Sequence, residues 1–173
     1  MKNIKKITEV FLEAIYFTME AVGSVTYGKD SLYRSLKNGP FSQWSDTQIS
    51  KKLVAMERTG YLKHNHQSDS IEFTNKAKIR IIDSISSKHE IDGMYRFLSF
   101  DIPEQKRALR DGFRRAIKRL GFKQVQKSLW VCNKNVGDLV EAIIEEYKVN
   151  EYITYIISEK SDIDDHIKQM FGE

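Results

Sequence analysis

The chain has 173 residues, of which 40% are hydrophobic and 30% charged, with a net charge of +4 and one cysteine, Cys132. Such a composition excludes a disordered chain, and a lone cysteine excludes an internal disulfide framework and fits a reducing compartment. No uncharged apolar run approaches the roughly 18 residues of a membrane span, and Glu9, Glu13 and Glu20 interrupt the apolar stretch after MKNIKK where a signal peptide would need its core, so a cytoplasmic location with no membrane partner is expected.

Residues 4–22 place Ile4, Ile7, Phe11, Ala14, Ile15, Thr18 and Val22 along one helical face, with Gly23 as the stop. A second helix is predicted from Asp30 to Lys37, stopped by Asn38-Gly39-Pro40. A third follows PFSQWS with Asp46 as its N-cap, buries Ile49, Leu53 and Met56, and ends at Gly60. Its outward face carries Thr47, Gln48, Ser50, Lys51, Lys52 and Arg58. YLKH and IEFT read as two short strands around a polar turn from Asn65 to Ser70, and a last helix over 75–87 turns Ala77, Ile81 and Ile85 inward.

Three helices, a hairpin and a further helix predict a winged helix-turn-helix over residues 1–90. In that motif the third helix enters the major groove and the hairpin touches flanking backbone. Thr47, Gln48 and Ser50 suit base edges; Lys51, Lys52 and Arg58 suit phosphates, and so do Lys63, His64 and His66 on the hairpin. The plain alternative is a helical domain with a solvated polar face. His64 and His66 share one side of their strand, but neither a Cys nor a carboxylate joins them at a metal-ligand spacing.

Residues 91–173 form a second predicted domain. Met94 to Asp101 alternates as a strand, with Met94, Leu98 and Phe100 on one face and Tyr95, Phe97, Ser99 and Asp101 on the other. Pro103 at the first helical position opens a basic helix that buries Leu109, Phe113, Ala116, Ile117 and Leu120. Ala108, Gly112 and Ala116 add a row of small residues suited to close approach to the sheet. After Gly121 come two strands, FKQVQ and SLWVC, joined around Lys127, then a helix from Val136 to Tyr147 and a strand over 152–158. The tail is expected to add a short helix that packs on a partner. The order β-α-β-β-α-β predicts a ferredoxin-like domain, so the fold class of the whole chain is α+β.

Charge is segregated within this half: 104–127 holds nine bases against two acids, and 138–173 holds three bases against ten acids. Arg107, Arg110, Arg114 and Lys118 lie along the outer face of the basic helix. They form either a second nucleic-acid face or a solvated face paired with the acidic segment.

The stretch FDIPEQKRALRDGFRRAIKRLGFKQVQKSLWV resembles the start of the small adaptation nucleases known as CRISPR-associated protein two. It equally resembles the related domain of PaaX-type transcriptional repressors of phenylacetate catabolism, and the likeness covers roughly 93–160. In the nucleases the acid ending the first strand binds a divalent metal at a symmetric dimer interface. Asp101 stands at that position, and Ser128-Leu129-Trp130 at their second motif. Such nucleases are usually a single domain and leave residues 1–90 without a counterpart, whereas PaaX-type repressors join a winged helix to a domain of this kind. They normally continue into a third domain that this sequence does not show, which puts a small-molecule effector, including an acyl-CoA inducer, in doubt.

The expectation is therefore a homodimeric, sequence-specific regulator that binds double-stranded DNA, a repressor of the PaaX type without a cofactor. Two copies would pair through the open sheet face around Tyr95, Phe97 and Ser99. The alternative is an enzyme, a magnesium-dependent endonuclease or CRISPR spacer-adaptation subunit, with Asp101 as metal ligand and catalytic residue.

Overall fold

The computed structural model describes residues 6–24 and 26–172. The chain divides into two compact units, Met1–Ile81 and Ile82–Glu173, so that Ile82 to Glu90 group with the second. Among the described residues no helix is long and apolar enough to cross a membrane.

The first unit runs α1 (Ile7–Glu20), β1 (Thr26–Gly28), α2 (Lys29–Asn38), α3 (Asp46–Arg58), β2 (Leu62–Asn65), β3 (Ser70–Phe73) and α4 (Asn75–Arg80). α1 buries Phe11, Leu12, Ile15 and Met19, a stripe rotated from the predicted one. Ile7 and Val22 are exposed because the first opens the helix and the second lies in the turn beyond it; Ile4 lies outside the described residues. Phe11 anchors the connection between α2 and α3. Its ring centroid lies 4.5 Å from Phe41 and 5.7 Å from Trp44, which are themselves 4.9 Å apart. Burying one such ring contributes roughly 1.5–3 kcal/mol, enough to fix where α3 begins.

β1 is a strand the spacing did not predict. Three residues are too few to show an alternation, and its pairing partner, β3, lies more than forty positions on: Thr26 opposes Glu72 and Gly28 opposes Ser70. β3 also pairs with β2 in the hairpin, giving the antiparallel order β1-β3-β2.

The second unit runs α5 (Ile82–Ser86), β4 (Ile91–Phe100), a 3-10 turn (Glu104–Lys106), α6 (Arg107–Leu120), β5 (Lys123–Gln124), β6 (Leu129–Lys134), α7 (Gly137–Tyr147), β7 (Ile153–Ser158) and α8 (Asp164–Phe171). The helix predicted over 75–87 is thus two short ones, α4 and α5, because Ile81 leaves helical geometry at φ −110, ψ 22. From β4 to β7 the order is the predicted β-α-β-β-α-β, and the strands pair antiparallel in the order β5-β6-β4-β7.

Leu98, Phe100 and Trp130 face α6 and α7, with Phe100 5.1 Å from Phe113. Two details of α6 correct the sequence expectation. Pro103 caps the 3-10 turn and α6 itself starts at Arg107, which rotates Leu109 out to 39% exposure. The small residue Gly112 meets α7 and not the sheet: a Cβ there would lie 2.5 Å from Tyr147 Cε1. Ala108 is exposed and takes no part.

The opposite sheet face is not open. Tyr95 and Val131 are buried with Ile167 of α8, and Phe97, Val125, Ile163 and Phe171 pack around them. The tail helix therefore covers the chain's own sheet where a partner was expected. Covering apolar surface intramolecularly avoids the association entropy that a second chain would cost.

Near its start β4 is irregular, with a register shift between Ile91 and Arg96 and Gly93 at φ 78. That bend lets Asp92 reach back to the buried Arg96, whose Nη1 and Nη2 donate to its two carboxylate oxygens. The bonds from Arg96 hold the Asp92 carboxyl at about 2, well below the ordinary 3.8.

Candidate nucleic-acid interface

α3 is built to present a side. Ser45, and not Asp46, is its N-cap: Ser45 Oγ accepts from the Gln48 N–H at 3.3 Å, and Gln48 Oε1 accepts from the Ser45 N–H at 2.7 Å. This reciprocal capping box satisfies two otherwise unpaired donors. Asp46 is held elsewhere, by the Tyr33 hydroxyl first and by Lys37 at 3.3 Å, and both push its carboxyl below the usual range. The far end stops at Gly60, whose φ of 74 favours a residue without Cβ.

Between these ends Ile49, Leu53 and Met56 are buried, while Thr47, Gln48, Ser50, Lys51 and Arg58 are exposed. Two of the predicted readers are engaged within the unit. The Gln48 amide oxygen serves the cap, and Lys52 turns toward α1, where its Nζ donates to Thr8 Oγ1 at 2.8 Å. One residue was missed. Val54 is 61% exposed in the middle of the polar stripe. Its spacing, seven after Thr47 and four before Arg58, places it on that side of a helix.

The hairpin offers less than its sequence suggests. Lys63 is exposed and lies 3.8 Å from Glu72 across the strands. His64 Nε2 donates to Asp69 Oδ1 at 2.8 Å, and its side chain is only 9% exposed. His66 is exposed, its ring 4.3 Å from that of His64. Asn65 shapes the turn by accepting from the N–H groups of Gln67 and Ser68.

On α6 the four predicted bases separate. Arg107 is exposed and 3.8 Å from Asp111; Arg110 donates to Glu104 Oε2 at 2.8 Å and lowers that carboxyl. Arg114 lies over the Phe100 ring and Lys118 over Trp130, each 5.5 Å from the centroid. Arg119 forks onto Asp83 at 2.6 and 3.0 Å. The acidic segment contributes Glu151, 3.3 Å from Lys106, but the carboxylates meeting the other named arginines are Asp83, Glu104 and Asp111.

Residues 88–170, from the approach to β4 through most of α8, match the family model of the PaaX protein central Cas2-like domain. The chain carries a PaaX-type Cas2-like domain. No curated protein and no solved structure matches the chain.

In this PaaX-type domain Asp101 is exposed just beyond β4, its N–H donating to Tyr152 O at 3.1 Å. It lines a pocket with Arg110, Arg114 and Lys127. One carboxylate among three cations does not fit magnesium within a single chain, because a dication takes carboxylates and water and is repelled by guanidinium and ammonium groups. Among the described residues no group of three or more His, Cys, Asp or Glu could hold a metal ion. Cys132 is buried, and burial pushes its thiol up, which suits packing and not nucleophilic chemistry.

Proposed function

We propose that this protein is a homodimeric DNA-binding repressor of the PaaX type, with a winged helix-turn-helix in its first unit and a ferredoxin-like dimerisation domain in its second. The observation that carries the reading is the exposed stripe of α3. Thr47, Ser50, Lys51, Val54 and Arg58 follow one helical side over three turns, on a helix capped by Ser45 and pinned by Phe11, Phe41 and Trp44. Thr47 and Ser50 suit base edges, the Val54 methyls suit a thymine methyl, and Lys51 and Arg58 suit phosphates. The β2–β3 hairpin supports contact with flanking backbone through Lys63 and His66.

The PaaX-type domain and the sheet order β5-β6-β4-β7 support the ferredoxin-like assignment. Ile156 and Ile157 on the outer strand β7 are 51% and 53% exposed, and support pairing of two copies at that edge. Paired heads would read half-sites about one DNA turn, or a small multiple, apart.

The test is duplex binding by the full chain across a salt series. Lys51→Ala with Arg58→Ala should weaken binding to every sequence and lower the slope of log affinity on log salt by about 2, near 0.9 for each lost phosphate contact. Lys52→Ala, whose ammonium is taken by Thr8, should move the slope less. An unchanged slope in the double variant removes α3 from the interface.

A further inference from the structure

A pocket of about 440 Å³ opens in the second unit between the end of β4, the first half of α6 and the β5–β6 turn. Nothing in the DNA reading uses it. Its polar lining is Asp101, Ser99 and Ser128, with Arg110, Arg114 and Lys127. That is three cations against one carboxylate in the lining, and although Glu104 pairs Arg110 from beside it, the balance stays positive and favours an anion.

The two guanidinium groups are held in place. Arg114 lies over the Phe100 ring at 5.5 Å, and Arg110 is fixed by Glu104 at 2.8 Å. The Nε atoms of both are buried and have no hydrogen-bond partner among the described residues. Guanidinium groups seated against the protein in this way present a fixed positive charge that matches the oxygens of a phosphate group. Lys127 adds a third positive charge from the turn, and the serine hydroxyls add neutral donors.

Asp101 then selects. A carboxylate beside a phosphate site repels a bare second anion and accepts from a hydroxyl, so it favours a ligand carrying a hydroxyl next to its phosphate. The volume suits a small metabolite, since ligand pockets run from about 300 to 1,000 Å³. We infer that this pocket binds a hydroxylated phosphate monoester, such as a sugar phosphate, and that the second unit is a ligand-sensing as well as a pairing domain.

Calorimetric titration of the full chain with ribose 5-phosphate, with inorganic phosphate and with ribose tests this. Ribose 5-phosphate should bind saturably, inorganic phosphate more weakly, and ribose not measurably. Arg114→Gln should weaken ribose 5-phosphate by about tenfold or more, the loss of one charge-assisted contact. Lys127→Gln, an exposed turn residue whose change leaves the fold intact, should weaken both phosphates, and Arg115→Gln, on α6 outside the pocket, should weaken neither. Asp101→Asn should reduce the preference for ribose 5-phosphate over inorganic phosphate. The idea is overturned by absence of saturable binding at millimolar ligand, or by equal affinities in Lys127→Gln and Arg115→Gln. It is also overturned if Arg114→Gln and Lys127→Gln lower only the salt slope on duplex DNA, which would assign the pocket cations to the nucleic-acid backbone.

Discussion

α3 and α6 are basic helices of nearly equal length, 13 and 14 residues, and their fates in the fold differ. α3 carries fewer charges yet keeps Lys51, Val54 and Arg58 on an open side. α6 is dense in arginine, but Arg107, Arg110 and Arg119 are drawn to Asp111, Glu104 and Asp83, and Arg114 is laid across an aromatic ring. Charge density along a sequence therefore does not measure charge offered to a partner. What matters is which acids and rings the fold brings within reach. An exposed ion pair adds only about 0–1 kcal/mol to stability, yet it lowers the net charge that the cation offers to an extended polyanion.

Four experiments sharpen or break this contrast. The largest effect should come from Gly112→Ala, which forces a Cβ within 2.5 Å of Tyr147 Cε1 and so separates α6 from α7. A loss of about 1–3 kcal/mol is expected in denaturant unfolding, and a Tyr147→Ala background should remove most of it. If Gly112→Ala costs the same in both backgrounds, the close approach is not what the glycine serves. Ser45→Ala comes next, at about 1 kcal/mol. Thermal unfolding should register it together with weaker duplex binding, since the cap sets the angle of the reading side; a stability loss with full binding would uncouple them.

The paired substitution Arg107→Ala with Lys118→Ala should move the DNA salt slope by less than the α3 pair does. Should the two pairs move it equally, α6 faces the duplex as much as α3. The last test is of pH and concerns Asp92. Its carboxyl is depressed by Arg96 from 3.8 to about 2, so the stability it contributes is present in full above the ordinary value and is lost as pH falls through about 2. The stability gap between wild type and Asp92→Asn should accordingly be wide at neutral pH and close as acid is added over that window; a constant gap would mean that the pair is not linked to proton binding.

Much of the architecture was legible from spacing. The stripe Ile49, Leu53 and Met56, the turn around Asn65, and the strand-helix order from Met94 to Ser158 all follow from periodicity and stop signals, because each is set within a dozen residues. The misses are instructive for the same reason. β1 depends on a distant strand, β3, for its pairing. Ile81 breaks a helix whose apolar pattern runs straight through it. Val54 lies outward as its spacing requires, although a valine in a helix suggests burial.

The order of elements, the polar side of α3 and the basic character of α6 were written in the chain, since short-range geometry and side-chain polarity act over a few turns. Which of those groups remain available was decided only on folding. Thr8 takes Lys52, α8 closes over Tyr95, and Arg110 and Arg114 are gathered with Asp101 at one pocket. The first two depend on residues tens of positions apart, and the third on a strand end and a helix face folding back on each other, contacts that no local pattern encodes.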